Sequence, residues 1–198
     1  MLSEAWQQDR IFTTPVGTLT ASFLLHPNTM FHRDGEWSVR LILPQDRAHL
    51  LRQTIAPAYE DILRRGRDRF AVLPFEQQIA RPFRENPYWQ PVQTDGGLET
   101  DDLYFTFRAP TSEQPLDGAA AEPVQVPLFC QDKRESKTLQ HEPDGQEGIV
   151  SFSIQQFWLR SFGAGVNLRL RSVELLAPRA KLSDDPLHQV HLVPALGG

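Results

Sequence analysis

Hydrophobic and polar residues alternate with a period of two along much of the chain. Such alternation predicts half-buried β-strands, because successive side chains of a strand point to opposite faces. Four segments follow the pattern clearly: Glu36–Leu43, Leu103–Arg108, Ile149–Phe157 and Val166–Arg171. Two further segments follow it less regularly, namely Gly17–Leu25 and Val124–Cys130, the second interrupted by Pro127.

The interval 46–65 predicts the one clear helix. Its apolar residues recur at helical spacing: Leu51, Ile55, Tyr59 and Ile62. Asp46 suits the N-cap position, and Gly66 stands where a helix would end. Pro57 predicts a kink or a break, because proline removes a backbone donor and clashes one turn back. The proline-rich interval 71–97 has no clean period and predicts a long loop.

Five or six short strands, one helix and long irregular connections are typical of a small barrel or sandwich. We expect a mainly β protein whose core is a five-stranded Greek-key barrel of the oligonucleotide-binding type (OB-fold), with one packing α-helix and long loops. Residues 1–182 are expected to form this single domain, and residues 183–198 a C-terminal extension.

The composition and charge of the chain limit the classes of function that it can have. The chain has 198 residues, a net charge of −5 and one cysteine, Cys130, so it has no intramolecular disulfide. With no apolar run long enough to span a membrane and no signal peptide, a soluble cytoplasmic protein is expected. Residues 90–150 hold 12 acidic and 4 basic side chains (−8), whereas 31–70 (8 basic, 6 acidic) and 151–198 (5 basic, 3 acidic) each carry +2. The uneven charge leaves room for a local basic groove.

Motifs that carry catalysis or bind cofactors are missing from the sequence. Gly163 and Gly165 are followed by a strand and not by a phosphate-binding helix. The histidines are scattered, and Cys130 sits in an apolar strand, where a small thiol is more often packed than reactive. We therefore expect no enzyme activity, no cofactor and no metal site. A hydrolase or nuclease ranks last among the hypotheses.

Three stretches together resemble the single-stranded-DNA-binding proteins of T7-like bacteriophages. They are IFTTPVGTLTASFLLHPN, GEWSVRLILP and QQFWLRSFGAGVNLRLRSVELL, in this order along the chain. The resemblance implies sequence-tolerant single-strand binding in phage DNA replication, recombination and repair, inside the infected bacterial cell. It also implies DNA polymerase and helicase-primase as partners, and a homodimer.

The resemblance and the residue types together give a set of candidate nucleic-acid contacts. Cations would contact phosphates, and rings would stack on bases. The family's tyrosine near the last strand falls on Gln156, so Phe157 and Phe162 are candidates to replace it. The full set is Arg33, Arg40, Tyr104, Arg108, Lys133, Arg134, Lys137, Phe157, Trp158, Arg160, Phe162, Arg169 and Arg171.

Each candidate also has a purely structural interpretation. Trp158 could close the mouth of the barrel, and Arg169 and Arg171 could simply face water on the outside of a sheet. The lysines around Arg134 are mixed with acidic residues, as in an ordinary solvated hairpin.

The C-terminus departs from the family pattern. The family ends in a long acidic tail with a final aromatic residue, whereas this chain ends in KLSDDPLHQVHLVPALGG, with Asp184 and Asp185 as its acids. Partner recruitment and tail-mediated dimerisation are therefore in doubt. An alternative hypothesis is an OB-fold protein-interaction module that binds a host or phage replication or transcription protein.

Overall fold

The computed structural model describes residues 10–30, 35–113, 120, 122–130, 140–158 and 162–176. The helices are α1 (Gln45–Ala71) and α2 (Phe75–Ala80). The strands are β1 (Phe12–Thr13), β2 (Gly17–Asn28), β3 (Glu36–Leu43), β4 (Arg84–Asn86), β5 (Trp89–Gln93), β6 (Glu99–Pro110), β7 (Ser112–Glu113), β8 (Glu122–Pro123), β9 (Leu128–Cys130), β10 (Glu147–Trp158) and β11 (Gly163–Leu175).

Five long strands form a closed ring in the order β2–β3–β6–β11–β10. The ring closes because β10 pairs with β11 on one side and with the start of β2 on the other. All its pairings are antiparallel except that of β6 with β11, which is parallel. The short strands β4, β5 and β9 add to its edges. This arrangement confirms the predicted mainly β, five-stranded OB-fold with a packing helix.

The core lies between the inner faces of the ring and one side of α1. Phe105, Phe107 and Phe152 are fully buried there, and the rings of Phe107 and Phe152 lie 5.2 Å apart. The helix contributes a stripe of buried residues one turn apart: Ala48, Leu51, Ile55, Ala58 and Ile62. This stripe packs against β10, β11 and β6, so the helix covers one side of the barrel.

Two glycines meet at the seam where the ring closes. Gly17 of β2 pairs with Gly148 of β10. A Cβ on Gly17 would lie 2.6 Å from the Ile42 carbonyl oxygen, and one on Gly148 would lie 2.9 Å from the Leu19 Cδ1. Only hydrogen fits at these contacts, so the glycines allow the close approach of backbone that seals the barrel.

The helix is longer than the sequence predicted. It begins after Pro44, which forms no side-chain cap, and Asp46 lies within its first turn. The predicted stop at Gly66 is wrong: Gly66 is buried inside α1, where a Cβ would lie 2.7 Å from the Phe83 Cζ. The glycine serves close packing instead of helix termination. Pro57 is accommodated within a single helix and does not divide it.

The predicted loop 71–97 contains regular structure. It holds α2, followed by β4 and β5, which pair with β11 and β6. The predicted strand from Val124 is reduced to β9 beside the end of β11. Gly163 and Gly165, which the sequence placed before the predicted strand Val166–Arg171, lie inside β11 and pair with β4. Among the described residues, the structure contains no helix both long enough and apolar enough to cross a membrane.

Candidate nucleic-acid interface

The outward-facing positions of β3, β6 and β11 form a polar wall on the barrel, here called the outer wall. It follows directly from the alternation in the sequence, because the residues between these positions point into the core. Arg40 and Arg108 on it are exposed, and Arg169 and Arg171 are half-buried. The outer wall thus carries four of the predicted arginines.

The strand register places two of these arginines side by side. Arg108 of β6 is the direct partner of Arg169 of β11, so their backbones are about 4.8 Å apart. Burial lowers the pKa of the Arg169 guanidinium, and the positive charge of Arg171 lowers it further. The Arg171 Nε donates to the Ser153 hydroxyl at 3.0 Å, and a Glu36 carboxylate oxygen lies 3.5 Å from an Arg108 nitrogen. Positive charge is concentrated at this point of the wall.

Two grooves run across the outer wall and share Arg108 and Asn167. The first groove has a volume of about 350 Å³ and is lined by Asn86, Pro87, Tyr88, Trp89, Gln90, Tyr104, Thr106, Arg108, Val166, Asn167 and Leu168. The second groove has a volume of about 310 Å³ and is lined by Gly35, Glu36, Arg108, Ala109, Pro110, Gln155, Asn167 and Arg169. The first groove carries aromatic and amide groups, and the second carries Arg108 and Arg169 beside Glu36.

Arginine side chains pack against two aromatic residues of the first groove. The Arg40 guanidinium lies 5.1 Å from the centre of the Tyr104 ring, and the Tyr104 hydroxyl donates to the Gln90 side chain. The guanidinium of Arg52, on α1, lies 4.4 Å from the centre of the Trp89 ring. The first contact fixes the orientation of the Tyr104 ring, as a stacking surface requires, whereas Trp89 pairs with Phe105 and its ring packs against the core.

Tyr88 lines the first groove and packs against α1 and the core. Its ring packs edge-on against the ring of Tyr59 on α1, with the ring centres 5.0 Å apart. The centre of the Phe105 ring in the core lies 6.4 Å away. Burial raises the pKa of the Tyr88 phenol, so the residue stays neutral at physiological pH. The segment that the sequence left without structure thereby forms one side of the groove.

Trp158 and Phe162 lie at a different place, near the C-terminal half of α1. The guanidinium groups of Arg69 and Arg65 lie 4.2 Å and 5.8 Å from the Trp158 ring centre, and Trp158 packs against the core. This packing favours the interpretation of Trp158 as a closure of the barrel end. Phe162 packs edge-on against Phe70 at 6.3 Å.

Phe157 lies between these two places. It is half-buried, pairs with Gly165, and its ring occupies the space that a Cβ on Gly165 would need, at 2.9 Å from the Phe157 Cζ. The same Cβ would lie 2.9 Å from the backbone oxygen of Asn86, which lines the first groove. Phe157 and Asn86 of the groove lining therefore both lie against Gly165.

The other predicted contacts lie outside the described residues. They are Arg33, Lys133, Arg134, Lys137 and Arg160. In the sequence, Arg33 stands between β2 and β3, and Arg160 stands between β10 and β11. In the part of the chain that the structure describes, no group of three or more His, Cys, Asp or Glu side chains could hold a metal ion.

The sequence reasoning missed the groove residues that lie between α2 and β6, among them Asn86, Tyr88, Trp89 and Gln90. The available signal was the aromatic pair in NPYWQ, within a stretch that shows no period. An aromatic pair in a proline-rich segment is equally compatible with packing, so the signal alone did not identify a site.

Comparison with known proteins gives a consistent fold. No protein-family model and no curated protein matches the sequence. Among solved structures, the chain is similar to gp2.5, a single-stranded DNA binding protein encoded by bacteriophage T7, with a TM-score of 0.64, 20% identity, and coverage of 96% of this chain and 99% of that chain.

The single-stranded DNA-binding protein from bacteriophage Enc34 is also similar. Its complex with single-stranded DNA gives a TM-score of 0.55 at 11% identity over 83% of this chain and 85% of that chain. Its C-terminal truncation gives a TM-score of 0.53 at 11% identity over 85% and 86%. At these identities the likeness concerns the fold. The resemblance to phage single-stranded-DNA-binding proteins that the sequence indicated is confirmed at that level.

Proposed function

We propose that the protein binds single-stranded DNA without sequence preference, along the two grooves of the outer wall. The observation that carries the proposal is the pairing of Arg108 with Arg169. Like charges on directly opposed residues are unfavourable by themselves, and Arg171 adds a third charge nearby. Three guanidinium groups thus meet at one point of the outer wall beside the carboxylate of Glu36, and a phosphate bound there would add negative charge to offset their repulsion.

The grooves supply the two kinds of contact that single-strand binding needs. Arginines of the second groove and Arg40 would contact phosphates, while Tyr104 would receive a base on its ring face. Each stacked base contributes about 1–3 kcal/mol in proteins of this kind, largely independent of base identity. The face of the second and third ring strands, here β3 and β6, is also the surface that OB-folds use for oligonucleotides.

The wider set of contacts is part of the same proposal. Phe157 would extend the stacking surface beside Gly165, and Arg33 and Arg160, which stand between barrel strands in the sequence, would add phosphate contacts. Lys133, Arg134 and Lys137 would add phosphate contacts. The two similar phage proteins are described as single-stranded-DNA-binding, one of them in complex with single-stranded DNA, which supports the ligand. Roles in phage DNA replication, recombination and repair follow from that ligand as proposals.

A fluorescence titration tests the ligand. Trp89 lines the groove, so binding of oligo(dT) should quench tryptophan emission. We expect tighter binding to single-stranded than to double-stranded oligonucleotide of the same length, and weaker binding at the higher of two salt concentrations. Equal affinity for both forms, or binding that does not respond to salt, would contradict the proposal.

One observation favours a second function, recognition of a replication or transcription protein. The corner between α1 and α2 exposes three large apolar side chains, Val72, Phe75 and Ile79, at 82%, 73% and 66% exposure. Clustered apolar residues of this kind often mark protein contacts. If this corner is such a site, Phe75→Asp should abolish a stoichiometric complex with a purified polymerase or helicase-primase while leaving oligo(dT) binding unchanged. A complex that survives Phe75→Asp would contradict this second function.

A further inference from the structure

The first groove ends at β4. Asn86 at the C-terminal end of β4 lines the groove, and all three residues of β4 are exposed. Gly163, Ala164 and Gly165 of β11 pair with β4. Because these three residues have no side chain beyond Cβ, little projects from β11 beside the strand.

Alternation along β4 places its two charged residues, Arg84 and Glu85, on opposite faces. Arg84 and Asn86 are two residues apart and therefore point to the same face, whereas Glu85 points to the other. Glu85 bonds to Arg67 of α1, with an Nε–oxygen distance of 3.0 Å. The carboxylate is thereby neutralised on the helix side, and the groove side of β4 presents Arg84. The step from Asn86 to Arg84 is about 7 Å.

Arg84 lies next to a second aromatic residue, Phe162, which in turn contacts a second cation, Arg81. The Arg84 backbone N–H donates to the Phe162 carbonyl oxygen at 2.8 Å. The Arg81 guanidinium lies 5.4 Å from the centre of the half-buried Phe162 ring. Arg81 and Arg84 are exposed, and within the described parts of the chain neither forms an ion pair. Arg84 thus stands two residues from the end of the groove, bonded to the residue whose ring Arg81 covers.

We propose that Arg81, Arg84 and Phe162, here called the Phe162 corner, form a second contact site for single-stranded DNA. The site would extend the path of the strand from the first groove along β4. This inference rests on the proposed function. An acidic protein segment would also find cations here, but continuity with the groove favours the nucleic acid.

The length dependence of binding tests the inference. An OB-fold engages about 4–16 nucleotides, so oligo(dT) of about 5 nucleotides should occupy the grooves alone, and one of about 16 should also reach the corner. The variant Arg81→Gln/Arg84→Gln should bind the short oligonucleotide like wild type and the long one more weakly. Its log–log salt slope for the long oligonucleotide should be smaller by about 1.4, which is about 0.7 for each lost phosphate contact.

Two matched variants complete the test. Arg64→Gln removes another exposed arginine, one on α1 that bonds to Asp61 at 2.8 Å, and it should change neither affinity. Arg108→Gln should weaken binding of both lengths. If Arg81→Gln/Arg84→Gln matches wild type on both lengths, or weakens both equally, the inference is overturned while the proposed function stands. If wild type binds neither oligonucleotide, the proposed function itself fails and the inference with it.

Discussion

Replacing Tyr104 by alanine tests whether the first groove stacks a base. The ring lines the groove, with Arg40 packed at 5.1 Å from its centre. Its removal should cost one stacking contact of about 1–3 kcal/mol, which corresponds to a Kd about 5- to 150-fold higher. The matched control is Tyr104→Phe, which keeps the ring and loses only the hydroxyl bond to Gln90. Its Kd should stay close to that of wild type.

The assay is a titration of each variant with fluorescently labelled oligo(dT) at one fixed salt concentration. Because Tyr104 is half-buried, thermal unfolding of both variants is measured beside it, so that a loss of binding is not confused with a loss of fold. A folded Tyr104→Ala protein that binds within twofold of wild type would refute the stacking role. A Tyr104→Phe protein that loses as much affinity as Tyr104→Ala would assign the effect to the hydroxyl instead.

Three further predictions concern the stability of the barrel and of the helix that packs on it. Gly17→Ala should lower the free energy of unfolding by about 1–3 kcal/mol, since the new Cβ would lie 2.6 Å from a backbone oxygen; Gly96→Ala, with no atom nearer than 3.8 Å, should be nearly neutral in the same urea titrations. Glu142→Ala should cost about 1–3 kcal/mol in urea unfolding, because its carboxylate accepts N–H groups of three consecutive residues of β2; an unchanged midpoint would contradict this. Burial tends to raise the pKa of Asp61, but hydrogen bonds and nearby arginines outweigh it and hold the pKa below 3.8. Its contribution to stability is therefore present above the unfolded pKa and lost as the pH falls through the folded pKa, so Asp61→Asn should flatten the acid limb of stability against pH.

The alternation of residues was enough to predict the barrel strands. The segment Glu36–Leu43 has the same bounds in the sequence prediction and in the structure, because its inner positions are buried along the whole strand. The strands β4 and β5 gave no such signal, since they are short, mostly exposed and held by pairing with the edges of β11 and β6. Their conformation depends on partners that are distant in the sequence.

Two glycines show the same limit of prediction from local sequence. From the sequence, Gly66 indicated a helix end, and Gly165 stood before the predicted strand Val166–Arg171. In the structure both lie inside regular elements, where Phe83 and Phe157 respectively fill the space of the missing side chain. A local rule gives the conformational freedom of glycine, whereas close packing against a distant residue is decided by the tertiary fold.

The site was predictable in its residue types and less so in its arrangement. Outward arginines on β3, β6 and β11 follow from alternation. The pairing of Arg108 with Arg169 does not, because it arises from the parallel register of two strands far apart in the chain. Trp158 and Phe162 stood in the same short stretch as Phe157, yet they pack toward α1, while Trp89 came to line the groove.

The salt dependence of single-strand binding tests the central claim most directly. The measurement compares the slope of log Kd against log salt for wild type, Arg40→Gln and Arg108→Gln, two exposed positions of the outer wall. The account predicts a linear dependence for wild type, with each substitution reducing the magnitude of the slope by about 0.7. Slopes that are the same in all three proteins would contradict it, because the arginines of the outer wall would then not contact phosphates.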